Sequence, residues 1–376
     1  MLASRYQLLG LLVSLFPVLV VGGKPADAQT RSTPTATVSG EETKVALVNS
    51  WTVTIAAGQL EGSFIRFASE LSKALDDGDN LRILPIVTYG AAENISDLLY
   101  MKGLDIAITH ADVFDFYKKS GEARNVEQRI NYISQMHNTE FYVLARSGIN
   151  SLQDLAGKKV GFHIKGSGPS VTGPMIFERL GIKVEPVYLN HTLAIERMKN
   201  GEIAAIFQLG AKPNDFLAKL KPEPGMRFLP LNWGQKFSDY YLPARLTHDD
   251  YPNLIPPGES VNTLAVPVVL AVYNFPKKHD RFRRVERFIH YYFERFDKLK
   301  QPSFHQKWKE INLTANVPGW NRYSVADEVL TAMAKDGVAR QANSSQPGRS
   351  GPNATALSNS QLFEEFLEWQ KKNKKY

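Results

Sequence analysis

The apolar and polar positions along the chain alternate between two periods, short buried runs and longer stripes at helical spacing. Residues 44–49 (K-V-A-L-V-N) predict a first buried strand. Over 62–75, Phe64, Phe67, Ala68, Leu71 and Leu75 recur at the spacing of one helix face, a stripe that faces a core. Residues 81–88 predict a second strand, ending in Tyr89-Gly90-Ala91-Ala92-Glu93-Asn94. A helix carrying Ile95, Leu98, Leu99 and Met101 closes at Gly103, and 104–109 predicts a third strand with Asp112 behind it as an N-cap. Two further strands are expected at 131–135 and 140–145. Strands that alternate with helices predict a mostly parallel, doubly wound α/β sheet.

The theme then repeats. Ser151 caps a short helix ending at Gly157, and the pattern continues as strand 160–164, helix 172–180, strand 184–189, helix 193–198, strand 203–209, helix 214–220 and strand 226–231. Residues 262–273 (N-T-L-A-V-P-V-V-L-A-V-Y), broken by Pro267, fit a strand that returns to the first sheet and makes the first lobe discontinuous. Helix 281–299 carries Val285, Phe288, Ile289, Tyr292 and Phe296 on one face. The expected organisation is therefore lobe 1 over 44–146, lobe 2 over 147–240, and a return to lobe 1 with helices over 241–335. A flexible tail follows over 336–376, with a short amphipathic helix at 362–369.

Composition changes this picture at the ends. Arg5, the apolar run 8–21 and Ala26-Asp27-Ala28 form the tripartite pattern of a signal peptide over 1–28, so the chain is expected to be exported to the periplasm. Residues 29–43 are Ser/Thr/Pro-rich and read as a disordered leader. The chain has no cysteine, so its stability must come from a core; 376 residues, 43% of them hydrophobic, are ample for two lobes. The net charge of +7 lies partly in a terminal lysine run at 371–375 and partly along 277–287, with no basic stripe interleaved with aromatics. No nucleic-acid partner is expected. The eight histidines form no ligand spacing, so no metal and no cofactor are expected.

The densest chemistry lies in Gly161-Phe162-His163-Ile164-Lys165-Gly166-Ser167-Gly168-Pro169-Ser170-Val171-Thr172. Small residues between a strand and a helix let the backbone approach a ligand, and the N–H groups of a helix start favour an anion. Lys165, Ser167, Ser170 and Thr172 add a charge and hydroxyls. Turn geometry and N-capping explain the same residue types without a ligand. No Lys-Ser/Thr pair follows the second glycine, which excludes a P-loop, and the spacing around Ser170 excludes a nucleophile elbow. His110 could bond a carboxylate or be a structural group at a strand end. Phe64 could equally pack the core.

Taken together, the runs Tyr89-Gly90-Ala91-Ala92-Glu93-Asn94, Asp105-Ile106-Ala107-Ile108-Thr109-His110, Gly166-Ser167-Gly168 with Val171-Thr172, and Asn200-Gly201-Glu202-Ile203-Ala204-Ala205 are similar to the TAXI-type solute-binding subunits of tripartite ATP-independent periplasmic (TRAP) transporters. The resemblance implies a type II periplasmic binding protein, two doubly wound α/β lobes joined by a hinge. It also implies a monomer that receives a small organic anion, of amino-acid or oxo/dicarboxylate type, for integral membrane TRAP subunits, without catalysis. With ligands expected outside the carboxyl ends of strands, the implied binding residues are Trp51, Ser63, Phe64, Gly90, Asn94, Thr109 and His110 on lobe 1. Opposite them stand Lys165, Gly166, Ser167, Gly168, Ser170, Val171, Thr172, Gln208 and Gly210. Two departures, Ser50-Trp51-Thr52 after the first strand and His110-Ala111 at the end of the third, bear on which solute is bound. An ABC-type or sensory receptor for another anion, such as a sulfonate, and an exported enzyme using His110 remain alternative readings.

Overall fold

The computed structural model describes residues 40–344, and from Ala46 onward they form one compact unit. The expected signal peptide, leader residues 29–39 and the terminal helix at 362–369 lie outside the described residues. The first described element is a helix, α1 (Gly40–Ser50), which replaces both the end of the expected leader and the strand expected at 44–49. Its apolar residues are not paired into a sheet; Leu47 stays exposed, and the buried alternation begins later, at Val53 and Ile55.

The remaining elements follow in order: β1 (Thr52–Ala56), α2 (Ser63–Leu75), β2 (Arg82–Ile86), α3 (Ala91–Tyr100), β3 (Ile106–His110), α4 (Ala111–Ser120), α5 (Val126–Arg129) and β4 (Ile130–Ala145). Next come β5 (Lys159–Gly161), α6 (Gly168–Leu180), β6 (Glu185–Val187), α7 (His191–Lys199), β7 (Ala205–Gly210), α8 (Asp215–Ala218) and β8 (Arg227–Phe228). The chain ends with β9 (Leu242–Thr247), β10 (Ser260–Tyr273), α9 (Asp280–Glu294), α10 (Phe296–Leu299) and α11 (Ser324–Ser344). The helix α11 carries regular structure past residue 336, where a flexible tail was expected to begin.

The strand order is β2-β1-β3-β10-β4-β7-β5-β6, with β8 added to β4 and β9 to β10. β1, β2 and β3 are parallel, as are β5, β6 and β7, and helices connect the strands within each set, so each set belongs to a βαβ lobe. Two long antiparallel strands join the lobes. The first part of β4 pairs with the second part of β10, as in Val269↔Gln135 and Tyr273↔Ile130, while its second part, from Glu140 to Ala145, pairs with β7. The two strands expected at 131–135 and 140–145 are thus one strand shared by both lobes. Pro267 lies at a register shift between β10 and β4, where its missing N–H costs no ladder bond. Beside this crossing, Lys307 reaches Glu140 Oε1 at 2.5 Å and the Asn138 carbonyl at 3.1 Å, pinning the C-terminal segment to the strand that spans the lobes.

The core does not follow the same division. One large cluster runs from Val53, Ile55, Phe67, Ile108 and Val268 through to Val160, Phe162, Phe177 and Phe207, and Tyr142, Leu144, Leu217 and Tyr251 belong to a smaller second cluster.

Candidate functional site

The loops that leave the carboxyl ends of six strands meet between the lobes and line a cavity of about 70 Å3. Gly58, Gln59, Gly62, Ser63 and Phe64 come from the segment after β1, Tyr89, Gly90 and Ala91 from that after β2, and His110 from the end of β3. Lobe 2 supplies His163, Ser167, Gly168 and Pro169 after β5, His191 after β6, and Gln208, Leu209 and Gly210 at the end of β7. Thr139, on the strand common to both lobes, forms the floor. Four helices, α2, α3, α6 and α7, start at a residue that lines the cavity, and His110 is the N-cap of a fifth, α4. The first N–H groups of a helix have no intrahelical acceptor, so the enclosed space lies at convergent positive dipole ends.

Of the residues implied by the sequence, Ser63, Phe64, Gly90, His110, Ser167, Gly168, Gln208 and Gly210 line this cavity. The others do not. Trp51 sits at the opposite end of β1, where Arg287 stacks 3.2 Å from its ring centre. Lys165 is exposed and lies 5.5 Å over the Tyr188 ring. Asn94 is fully buried and donates to the carbonyls of Ala57 and Ile108 at 2.6 Å each, while its Oδ1 accepts from Thr88, so it ties three loop segments together from behind. Thr109 donates to the Ala91 carbonyl at 2.9 Å and holds the start of α3.

The glycine-rich segment also differs from its expected form, because α6 begins at Gly168 rather than at Thr172. Pro169 supplies a φ already suited to the first turn, and Ser167 takes the N-cap position. Ser170, Val171 and Thr172 are therefore helical, and Ser170 donates to the Ser167 carbonyl. Gly166, at φ +84°, turns the chain so that its carbonyl accepts from Ala92 and Glu93 N–H at 3.1 and 2.9 Å across the lobe boundary. Asp112, expected as an N-cap, instead accepts at Oδ2 from Thr172 of lobe 2 at 2.6 Å and from Tyr241 at 3.0 Å. The two lobes are closed on one another.

His163 and His191 were weighed in the sequence only as metal ligands. Both follow a strand at its carboxyl end, which is the signal that could have found them. His163 adopts φ 60°, and its ring stacks on His191 with centroids 4.0 Å apart; His191 Nε2 in turn faces Gln208 Nε2 at 3.2 Å. Burial pulls the imidazoles of His110, His163 and His191 down to about 3, 4 and 3, so all three are neutral near pH 7. Both ring nitrogens of His110, Nε2 of His163 and the hydroxyl of Thr139 are buried without a hydrogen-bond partner. Among the described residues, no lysine, arginine or carboxylate lines the cavity. The Ser167 hydroxyl is committed to the Ile164 carbonyl at 2.6 Å. Among the described residues no group of three or more His, Cys, Asp or Glu is arranged to hold a metal ion. The arrangement can bind: buried polar atoms of this kind ordinarily have partners, and here the protein supplies none, which leaves them to water or a solute.

A sequence profile described as the NMT1-like family matches residues 55–319, well over half of the chain and all of the cavity lining. Among solved structures, the chain is similar to one described as a periplasmic transporter, at 14% identity and a TM-score of 0.47 over 77% of this chain and 97% of the other. It is also similar to the periplasmic binding protein BugD, at 13% identity and a TM-score of 0.44 over 78% of this chain and 95% of the other. A mutant of ArgBP from T. maritima matches at 13% identity and a TM-score of 0.42, over 72% of this chain and 98% of the other. The architecture is a mixed α/β fold, with one ten-stranded sheet running through both lobes.

Proposed function

This chain belongs to the NMT1-like family, and from that premise we propose that it is a periplasmic solute receptor that captures a small organic anion between its lobes and hands it to the membrane subunits of a TRAP transporter. The observation that carries this reading is the cavity in which His110, His163 and Thr139 present buried polar atoms with no protein partner. Leaving such atoms unpaired costs about 1–3 kcal/mol each, which a bound solute would recover. Helix starts on four sides favour negative charge without a fixed cation. The volume holds roughly half a dozen water-sized groups, which suits a solute of a few carbon atoms. The TRAP partnership rests on the sequence resemblance, and the function asks for capture and release with no chemical step.

Thermal denaturation against a panel of small carboxylates tests it, with the uncharged amides of the same acids as controls. A solute present at about a hundred times its Kd stabilises the native state by about 2.7 kcal/mol, so the midpoint rises with one or more acids and not with their amides. A panel in which only neutral compounds raise the midpoint removes the anion from this reading, and a panel without any effect removes the receptor.

A further inference from the structure

The cavity places an anion where no fixed positive side chain can neutralise it. Four helix starts supply only partial charges, and Lys165 points away over Tyr188. Burying a carboxylate is expensive unless a counter-charge comes with it. His110 stands out among the groups that could provide one. It is 4% exposed, both of its ring nitrogens lack a partner, and it faces the cavity from the end of β3. Gly168 of α6 leaves room for the ring, and Phe64 of α2 packs against it with centroids 5.0 Å apart.

Resting on the receptor reading above, we infer that the solute is a small monocarboxylate taken up together with one proton, which His110 accepts as the cleft closes on the anion. The balance is simple: the carboxylate enters as RCOO−, one proton leaves the solvent for an imidazole nitrogen of His110, and the enclosed pair is neutral. A dicarboxylate would leave one charge unmatched.

The groups around His110 are consistent with this. On its own helix α4, Asp112 accepts from Thr172 and Tyr241 at Oδ2, and its Oδ1 is buried without a partner. On β4, His137 is buried with neither ring nitrogen partnered, and the Glu140 carboxylate beyond it is already paired with Lys307. Across the cavity the His163 and His191 rings are stacked on each other. Burial by itself keeps His110 neutral, holding its pKa at about 3. An anion at hydrogen-bond distance reverses that preference.

Calorimetric titration of the full chain with pyruvate, lactate and glycolate, in phosphate and in Tris at pH 6, 7 and 8, tests the proposal, with lactamide as the uncharged probe. The expected result is uptake of one proton per bound acid, read from the heat difference between buffers, with Kd rising about tenfold per pH unit. His110→Gln and His110→Asn, each verified as folded by its circular dichroism, should bind with the same heat in both buffers. Acid binding without proton uptake, or uptake that persists in both variants, overturns the inference and leaves the receptor reading standing. If none of the acids binds, or lactamide alone does, the monocarboxylate inference falls, and the receptor reading is decided by the wider panel above.

Discussion

A Cβ added at Gly168 would stand 2.5 Å from His110 Cε1 and 2.6 Å from Nδ1, so this glycine is what allows an imidazole of one lobe to lie against the first turn of a helix in the other. Gly168→Ala must displace the ring or part the lobes. Overpacking of this kind costs about 1–3 kcal/mol, and solute affinity should fall at least tenfold in a titration while the separate lobes stay folded. Lys165 offers the opposite test. It carries the charge that the sequence made attractive, yet it lies outside the cavity, so Lys165→Ala should leave the Kd of any bound acid within about twofold, the scale of a surface change. A loss beyond tenfold would return Lys165 to the site.

Helices α4 and α6 form the latch. Their buried contact is the Thr172 hydroxyl on Asp112 Oδ2 at 2.6 Å, with Tyr241 donating to the same oxygen at 3.0 Å. Thr172→Val keeps the shape and removes one donor to a buried carboxylate. A hydrogen bond to a charged group contributes about 1.5–3 kcal/mol, all of it to the closed arrangement, because the partners belong to different lobes. Small-angle scattering of Thr172→Val should show a larger radius of gyration than the parent chain at the same solute concentration. An unchanged radius with unchanged affinity would mean that closure is held elsewhere, for instance by the Gly166 carbonyl on α3.

Across the whole molecule, acid stability is set by groups of opposite sign. His110, His163 and His191 have native pKa values of about 3, 4 and 3, against 6.5 in an unfolded chain. Below pH 6.5 the unfolded state therefore binds protons that the native state refuses, and stability falls as the pH drops. Asp112 works the other way, since burial raises it from 3.8 to about 6 and the native state gains protons first. His137 and His305 are lowered by burial as well, and Asp97, Asp105 and Glu140 are raised by it. The histidines start from 6.5 and the carboxylates from near 4, so the imidazoles dominate between pH 7 and pH 5 and the melting midpoint of the solute-free chain should decline over that range. Asp112→Asn, which removes one opposing group, should steepen that decline. A flat profile would show that the imidazoles are hydrated and not buried as described. Solute affinity is expected to move in the opposite direction with pH, which keeps the two effects separable.

Much of the architecture was legible in the order of apolar runs. Helix α2 was readable because Phe64, Phe67, Leu71 and Leu75 form a stripe, and β10 because a run of apolar residues can only be buried on both faces. The strand expected at 44–49 was not, because a short apolar run has no period of its own and here it lies in a helix. For the site, local chemistry located the loop at 166–168 and the strand end at His110. It could not separate Lys165, which points outward, from His163, one turn of backbone away, which points in. Thr139 gave no signal at all, being one polar residue inside a long strand. The sequence by itself determined the two α/β units, their strand ends and the small residues between them, since periodicity and turn chemistry are local properties. Which side chains share one enclosed space, and that this space contains imidazoles in place of a lysine, was decided only by the tertiary structure. Closing two lobes brings together residues a hundred positions apart and removes from water whatever faces the gap.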